Sequence, residues 1–345
     1  MSANFENFDF DPDQLRDKYR LERDKRLRSD GNEQYKEVKG EFSYFVEDPY
    51  VEKKIERGPI VDSAEVVIIG GGFGGMLAGA RLREAGIDDF KIIEKGGDFG
   101  GTWYWNRYPG ASCDIESYIY FPLLEETNFI PQRKYTNAPE TLEYCGVISE
   151  KFRLHENAIL QTEVTDTSWS DEEGVWKVST NRGDDIKAKY IVHSNGPLNR
   201  PKLPAIEGIN DYKGHTFHTS RWDYKYTGGS SKGALDGLKD KRVAIIGTGA
   251  TAVQCIPHLG ESAKELIVFQ RTPSSIDFRN NKETDEGWYK SQKSGWHEKR
   301  RENFEGFLIG DFSGEDLVND GWTEIFRTIL QALRSGGPSK IRMAS

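Results

Sequence analysis

The sequence predicts an α/β protein with two Rossmann-like dinucleotide-binding domains, an N-terminal extension and an incomplete C-terminal part. The first observation is a pair of glycine-rich turns that begin at Gly70 and Gly247. The second is their context, because each turn follows a short β-branched run, 65–69 or 243–246, and precedes a segment of helical composition. A strand, a glycine-rich turn and a helix in that order are typical of the Rossmann fold.

Composition sets the broad class of the chain. Its 345 residues carry a net charge of −9, and 30% of them are charged. This length allows two domains, and the negative charge argues against a nucleic-acid partner, which needs clustered Lys and Arg. Residues 66–80, the longest apolar stretch, are fewer than the about 18–20 that span a membrane, and residues 1–20 lack the apolar core of a signal peptide. The three cysteines contain no C-x-x-C, which suits a reducing compartment and offers no metal site. We therefore expect a cytoplasmic protein without a metal and without a membrane contact.

The chain divides into four predicted segments. They are a polar extension (1–60), a first nucleotide-binding domain (61–200), a second one (201–280) and a helical segment with a tail (281–345). Within the extension, Asp11 and Pro12 form a helix start that predicts a charged, surface-lying helix to about residue 28. Disorder is an equally good reading of this composition.

Elements are predicted from periodicity and from turn residues. The first domain has strands at 65–69 and 90–93 around a helix at 76–85, and a small antiparallel meander at 161–195. A linker rich in Pro and Gly follows at 196–208. The second domain and the C-terminal segment are expected to contain strands at 243–246 and 266–269 and helices at 251–259 and 322–333, the last of which ends at Gly336, Gly337 and Pro338.

The first fingerprint is a G-x-G-x-x-G. Gly70 allows a tight turn, Gly72 lets the backbone approach a pyrophosphate, and Gly75 lets the helix pack closely on the strand. The helix N-terminus then offers free N–H groups to the phosphates. Glu94 lies 24 positions after Gly70, where a carboxylate can accept hydrogen bonds from ribose hydroxyls.

The second fingerprint is a G-x-G-x-x-A that ends in an opposite charge. Arg271 lies 24 positions after its first glycine, and a guanidinium binds a 2′-phosphate that a carboxylate would repel. The Thr272 hydroxyl can add a hydrogen bond; the alternative is that Arg271 is a solvated surface charge. The motif consists of Gly247, Thr248, Gly249, Ala250, Thr251 and Ala252.

The two fingerprints together predict two different cofactors. An acidic first site and a cationic second site indicate FAD, held tightly, and NADPH, which donates a hydride. The cofactors then supply the redox chemistry, and the protein orients them.

Two further motifs give the chain a family resemblance. Residues 100–114 read GGTWYWNRYPGASCD, and residues 212–223 read YKGHTFHTSRWD. With both fingerprints, they resemble the type I Baeyer–Villiger monooxygenases, whose own motif is aromatic-x-Gly-x-x-x-His-x-x-x-Trp-Asp. Tyr212 stands where Phe is usual. Trp222 favours this group over the N- and S-oxygenating flavin monooxygenases, which have a similar motif without that Trp.

The resemblance implies a reaction. NADPH reduces FAD, the reduced flavin takes up O₂ as a peroxide, and an oxygen atom is inserted next to a ketone carbonyl to give an ester or a lactone. The long extension resembles that of members that oxidise bulky cyclic ketones, including terpenoid ketones of secondary metabolism. The alternatives are N- or S-oxygenation and a non-catalytic FAD- and NADPH-binding remnant. A pyridine-nucleotide disulfide reductase shares the plan but requires a dithiol.

The resemblance also implies roles for individual residues. Asp114 would orient an active-site Arg near the flavin and the nicotinamide, and residues 248–254, with Gln254, would surround the NADP pyrophosphate. His218 and Trp222 would couple domain movement to catalysis. The flavin would contact Thr102, Trp103, Tyr104, Trp105, Ser112, Cys113, Tyr120 and Val164.

Part of the family pattern has no match in this chain. Members continue for a few hundred residues more, with a catalytic Arg, commonly in a Lys-Arg pair, and an Ala-Thr-Gly-Phe-like strand end near the flavin. Arg334 and Arg342 lie in no matching context, and Lys299, Arg300 and Arg301 fit a charged, solvated helix. The readings are a truncated product, an incomplete gene model, or a subunit completed by a partner chain. A missing cation typically costs about 10²–10³ in rate.

Overall fold

A computed structural model describes residues 11–274, 276 and 278–334. It confirms the α/β class. The strands are β1 (Tyr35–Glu37), β2 (Val61–Ile69), β3 (Phe90–Ile93), β4 (Ala158–Ile159), β5 (Val164–Ser170), β6 (Val175–Thr180), β7 (Asp185–His193), β8 (Lys202–Pro204), β9 (Arg242–Ile246) and β10 (Glu265–Phe269). The helices are α1 (Pro12–Arg26), α2 (Phe73–Glu84), α3 (Thr102–Trp105), α4 (Ser117–Tyr120), α5 (Leu124–Thr127), α6 (Ala138–Lys151), α7 (Tyr224–Thr227), α8 (Ala250–Ser262), α9 (Glu286–Lys290), α10 (Trp296–Ile309) and α11 (Gly321–Arg334). The predicted helix end at 336–338 and Arg342 lie outside the described residues.

The main sheet has the strand order β4-β3-β2-β7-β6-β5. Strands β4, β3, β2 and β7 run parallel, so that Ile68 pairs with Ile92 on one side and Val192 on the other. Strands β5, β6 and β7 form the expected antiparallel meander. Its last strand, β7, also completes the parallel part of the sheet next to β2.

Helices α2 and α6 cover one face of this sheet. The apolar end of β2 and the small residues of α2 bring strand and helix very close, because a Cβ on Gly75 would lie 1.9 Å from the Gly70 carbonyl oxygen. The fully buried side chains of this core include Ile68, Met76, Tyr144 and Ile148. This packing fixes the N-terminus of α2 above the carboxyl end of β2.

The second nucleotide-binding unit consists of β9 and β10, which are parallel, and α8. Its inner side chains share one core with Trp103, Tyr108 and Trp222. The other face of the two strands is open, and Ile246 and Phe269 remain 59% and 54% exposed. In the first unit, β2 therefore has a neighbouring strand on each side, whereas in the second unit β9 has one neighbour among the described strands.

The N-terminal extension contains one helix, α1, and one strand, β1, that pairs with the linker. The Asp11 carboxylate accepts hydrogen bonds from the backbone N–H groups of Asp13 and Gln14, and α1 ends at Arg26, two residues before the expected end. The helix therefore forms, and its side chains are largely exposed. Strand β1 pairs antiparallel with β8 of the linker, a pairing that the sequence did not predict.

The C-terminal helices pack beside the first unit. Helix α11 confirms the expected helix at 322–333. The prediction of a solvated 299–301 segment is wrong for Arg300, whose side chain is 13% exposed. Its guanidinium makes a bidentate ion pair with the fully buried carboxylate of Glu116. Burial raises the pKa of Glu116, and the neighbouring Arg300 opposes this shift. Charged composition alone cannot indicate which side of α10 meets a buried carboxylate.

Candidate functional site

A cleft of about 790 Å³ opens at the carboxyl ends of β2, β3 and β7. This edge is where open α/β sheets bind ligands, and the volume suits a small-molecule or cofactor site. The structure brings most of the expected flavin-site residues together there. Those that line the cleft are Gly70, Gly72, Glu94, Thr102, Trp103, Trp105, Tyr120 and Val164.

The floor of the cleft is backbone rather than side chain. Gly70 has φ +103°, which only glycine adopts readily, and a Cβ there would lie 2.6 Å from the Ser194 carbonyl oxygen. Gly72 begins α2 without a side-chain cap. The first N–H groups of α2 are therefore available to an anion, as a pyrophosphate requires. These glycines fit the phosphate part of a dinucleotide.

Glu94 forms the acidic wall of the cleft. Its side chain is buried, and its two oxygens accept hydrogen bonds of 2.6 Å from the backbone N–H groups of Gly71 and Gly96. Burial raises the pKa of this carboxyl, while the two hydrogen bonds oppose the shift. Each carboxylate oxygen keeps a second lone pair, so Glu94 can also accept from the hydroxyls of a ribose.

Aromatic side chains also line the cleft. The Trp103 indole N–H donates to the Tyr120 hydroxyl at 3.0 Å, and the two rings meet edge to face. Behind Trp105 lies the buried Arg221, whose guanidinium carbon is 3.8 Å from the centre of the indole ring. Burial lowers the pKa of Arg221 to about 10, so it remains a cation at neutral pH.

Several lining residues were missed by the sequence reasoning. Ser194 and Asn195 follow β7, and the Lys95 ammonium donates to the Asn199 side-chain oxygen at 2.5 Å. Two signals could have found them. Lys95 directly follows Glu94, and residues after β7 belong to the same carboxyl edge as Gly70 once β7 is placed beside β2.

The second fingerprint repeats the backbone of the first. Gly247 has φ +106°, and Gly249 starts α8 with φ −74° and ψ −173°, close to the −78° and −173° of Gly72. Neither glycine has another heavy atom within 4 Å of an added Cβ, so this turn is open. The Thr248 hydroxyl donates to the Thr272 carbonyl at 3.1 Å, which ties the turn to the segment that carries the exposed Arg271.

Other predicted residues lie outside the cleft. The Tyr104 hydroxyl points away from it and donates to the Asp48 carboxylate of the extension at 2.7 Å. The Gln254 amide donates to the Ser112 carbonyl at 2.9 Å and joins the two units. Cys113 is buried, and burial raises the pKa of its thiol to about 12. The structure therefore does not bring the Tyr104 side chain to the proposed flavin wall, because successive residues of α3 point in different directions.

The expected catalytic residues lie in two places. Asp114 is half exposed, and its carboxylate accepts a 3.4 Å hydrogen bond from Arg279. Trp222 is buried in the core between the units, with its indole N–H on the Thr227 hydroxyl at 3.1 Å. His218 caps the short turn before Trp222, and burial lowers its pKa to about 4.

The described part of the chain contains neither a candidate metal-binding cluster nor a candidate membrane-spanning helix. Among the described residues, no group of three or more His, Cys, Asp or Glu side chains could hold a metal ion. No helix in the described part of the chain is long and apolar enough to cross a membrane. All three cysteines of the chain are described, and each is free and buried.

Comparisons with known proteins agree with this architecture. Residues 67–288 match the family described as pyridine nucleotide-disulphide oxidoreductase. Neopentalenolactone D synthase of Streptomyces avermitilis is 52% identical over 91% of this chain and 53% of its own length. The polycyclic ketone monooxygenase of the fungus Thermothelomyces thermophila superposes with a TM-score of 0.84 at 40% identity, over 90% of this chain and 53% of that one. A complex of OTEMO with FAD and NADP gives a TM-score of 0.61 at 31% identity, over 72% and 45%.

These matches define a flavoprotein class with two dinucleotide-binding units. The chain belongs to the pyridine nucleotide-disulphide oxidoreductase family, and it is similar to curated Baeyer–Villiger monooxygenases, with 51% identity to one from Stachybotrys chlorohalonatus over 94% of this chain and 52% of that relative. It spans about half the length of the curated relatives that it matches.

Proposed function

We propose that the cleft at the main sheet binds FAD. The pyrophosphate would accept hydrogen bonds from the N–H groups that begin α2, and Glu94 would accept from the ribose. The hydroxyl and indole groups of Tyr120 and Trp103 would pack against the isoalloxazine. One observation carries this proposal, namely the buried, backbone-anchored carboxylate of Glu94 at the end of β3 next to the glycine turn of Gly70 and Gly72.

The second unit would bind NADPH. Its turn has the backbone of the first, but the residue 24 positions on is a cation, Arg271, instead of a carboxylate. Residues 247–252 would hold the pyrophosphate, and Arg271 and Thr272 would contact the 2′-phosphate. Gln254 would fix this unit against the first through Ser112.

The reaction would be monooxygenation of a ketone to an ester or lactone. Bound FAD supplies the redox chemistry with O₂. The balance is ketone, O₂, NADPH and a proton giving ester, NADP⁺ and water. Two relatives are named for neopentalenolactone D synthesis and for polycyclic ketones, which supports a bulky cyclic ketone of secondary metabolism as substrate. The cytoplasm is the location that we propose, because the cysteines suit a reducing compartment.

The chain's own residues would then have positioning roles. Asp114 would hold a guanidinium beside the nicotinamide, as it holds Arg279 here. His218 and Trp222 would keep the linker seated between the units.

The test is flavin binding followed by NADPH oxidation. The full chain is purified, its flavin absorbance is measured, and FAD is titrated into any apoprotein. NADPH oxidation and O₂ uptake are then followed with a panel of cyclic ketones and with an amine as comparison. A colourless protein that cannot take up FAD would remove the proposal, and FAD binding without ketone-dependent NADPH oxidation would favour a non-catalytic remnant.

Arg271→Ala tests the nucleotide assignment. We expect the affinity for NADP⁺ to fall about tenfold and that for NAD⁺ to stay unchanged, because only NADP⁺ carries the 2′-phosphate. Isothermal titration of the FAD-loaded chain measures both. Arg242→Ala is the matched control, since Arg242 is an exposed arginine at the other end of β9 that pairs with Glu265. Equal losses for both nucleotides would refute the assignment.

A further inference from the structure

One side chain of the N-terminal extension contacts the loop after β10 in the second nucleotide-binding unit. The half-buried Gln34 accepts a hydrogen bond at its side-chain oxygen from a terminal nitrogen of Arg271. Its amide nitrogen donates to the Gly31 carbonyl at 2.6 Å. A carbonyl can only accept, so this second bond fixes which end of the amide faces the guanidinium.

The backbone of Gln34 is fixed as well. Its carbonyl accepts from the N–H of Ala205 at 2.9 Å. The next residue, Tyr35, pairs with Pro204 at the start of the β1–β8 ladder, and Lys202 lies over the Tyr35 ring. Gln34 is therefore a rigid acceptor, whereas Arg271 is an exposed arginine on a loop after β10.

We propose that Gln34 is a positioning residue for Arg271, so that the N-terminal extension sets the preference for NADPH over NADH. This inference rests on the proposed NADPH site. A neutral amide oxygen holds one nitrogen of the guanidinium without cancelling its charge. The remaining N–H donors stay free for a 2′-phosphate, and less side-chain entropy is lost when it binds.

A carboxylate at the same position would act differently. Gln34→Glu keeps the size and the acceptor but adds a negative charge beside Arg271. That charge would neutralise the guanidinium and repel the 2′-phosphate. The two substitutions Gln34→Ala and Gln34→Glu therefore separate loss of positioning from loss of charge.

The experiment is calorimetric titration of the FAD-loaded full chain with NADP⁺ and with NAD⁺. We expect Gln34→Ala to weaken NADP⁺ binding about fivefold, Gln34→Glu to weaken it further, and NAD⁺ binding to stay unchanged in both. Gln14→Ala, an exposed amide on α1 of the same extension, should leave both affinities unchanged. In an Arg271→Ala background the effect of Gln34→Ala should disappear, since the two residues then share no interaction.

The outcomes separate this inference from the site on which it rests. If Arg271→Ala selectively weakens NADP⁺ binding and Gln34→Ala matches the Gln14→Ala control, the positioning role is wrong and the NADPH site stands. If Arg271→Ala leaves NADP⁺ binding unchanged, both fail. A Gln34→Ala loss that persists in the Arg271→Ala background would also overturn the inference.

Discussion

A carboxylate and a guanidinium occupy equivalent positions in the two nucleotide-binding units, and their surroundings differ as much as their charges. Glu94 is buried and held by two backbone N–H groups, so its geometry is set before any ligand arrives. Arg271 is exposed and depends on Gln34 from a distant part of the chain. At the scale of single residues, the first unit is preorganised by its own backbone and the second by the extension.

His218 predicts a pH dependence of stability. Its pKa is about 4 in the folded chain, because of burial and of the nearby Arg221, and about 6.5 when unfolded. The unfolded state therefore binds more protons between these values, so stability is full above about pH 6.5 and falls as the pH decreases towards 4. At pH 5 the loss due to His218 is about 2 kcal/mol.

His218→Asn tests this value. Asn keeps an acceptor for the N–H of Ser220, which His218 caps in the folded chain. Urea unfolding at pH 7.5 and pH 5 should show about 2 kcal/mol less pH-dependent loss in the variant, while His155→Asn, on an exposed histidine, serves as the control. A pH dependence equal to that of the wild type would mean that His218 is not held neutral by burial.

Secondary-structure elements with strong local signals were predictable, and those defined by distant partners were not. Strand β3 begins and ends where periodicity predicted. Helix α2 also forms, but it begins three residues before and ends one residue before the predicted bounds of 76–85. The β1–β8 pairing joins three residues of the extension to three of the linker, and such short strands carry no periodicity. The candidate cleft was predictable as far as the fingerprint extends, but the loop after β7 became part of it only through the strand order.

Substitutions of the adjacent residues Arg300 and Arg301 on α10 are expected to change the free energy of unfolding by very different amounts. Arg300 is paired with the buried Glu116, whereas Arg301 is 45% exposed and lies 3.8 Å from the exposed Glu305. Arg300→Met would leave a buried carboxyl without its main partner, and the free energy of unfolding should fall by about 3 kcal/mol. Arg301→Met should change it by less than about 0.5 kcal/mol.

Guanidinium unfolding at two pH values checks this pair of variants. Because burial raises the pKa of Glu116, loss of Arg300 should raise it further and favour the neutral acid. The destabilisation should therefore shrink as the pH falls. Equal effects of Arg300→Met and Arg301→Met would show that the ion pair does not anchor α10.

The whole molecule combines a closed first unit with an open second one. In the main sheet β2 has a parallel neighbour on each side, and the Ser194 carbonyl closes the turn at Gly70. Around Gly247 the equivalent space is empty among the described residues. The core around Trp222 joins the two units, while the open face of β9 and β10 leaves apolar side chains exposed to solvent.

That face predicts a measurable surface property. Ile246 and Phe269 are paired neighbours on β9 and β10, and both are more than half exposed. Contiguous exposed apolar side chains bind hydrophobic dyes and promote self-association. Replacing both with Thr, which keeps a strand-favouring β-branched side chain, should lower the fluorescence of added anilinonaphthalene sulfonate. It should also reduce self-association, so that the elution volume in gel filtration depends less on protein concentration. The free energy of unfolding should change little, because neither side chain is in the core.

Tyr190→Thr, at an equally exposed position on β7, should leave dye binding nearly unchanged. If the double variant bound as much dye as the parent chain, the open face would already be covered in solution.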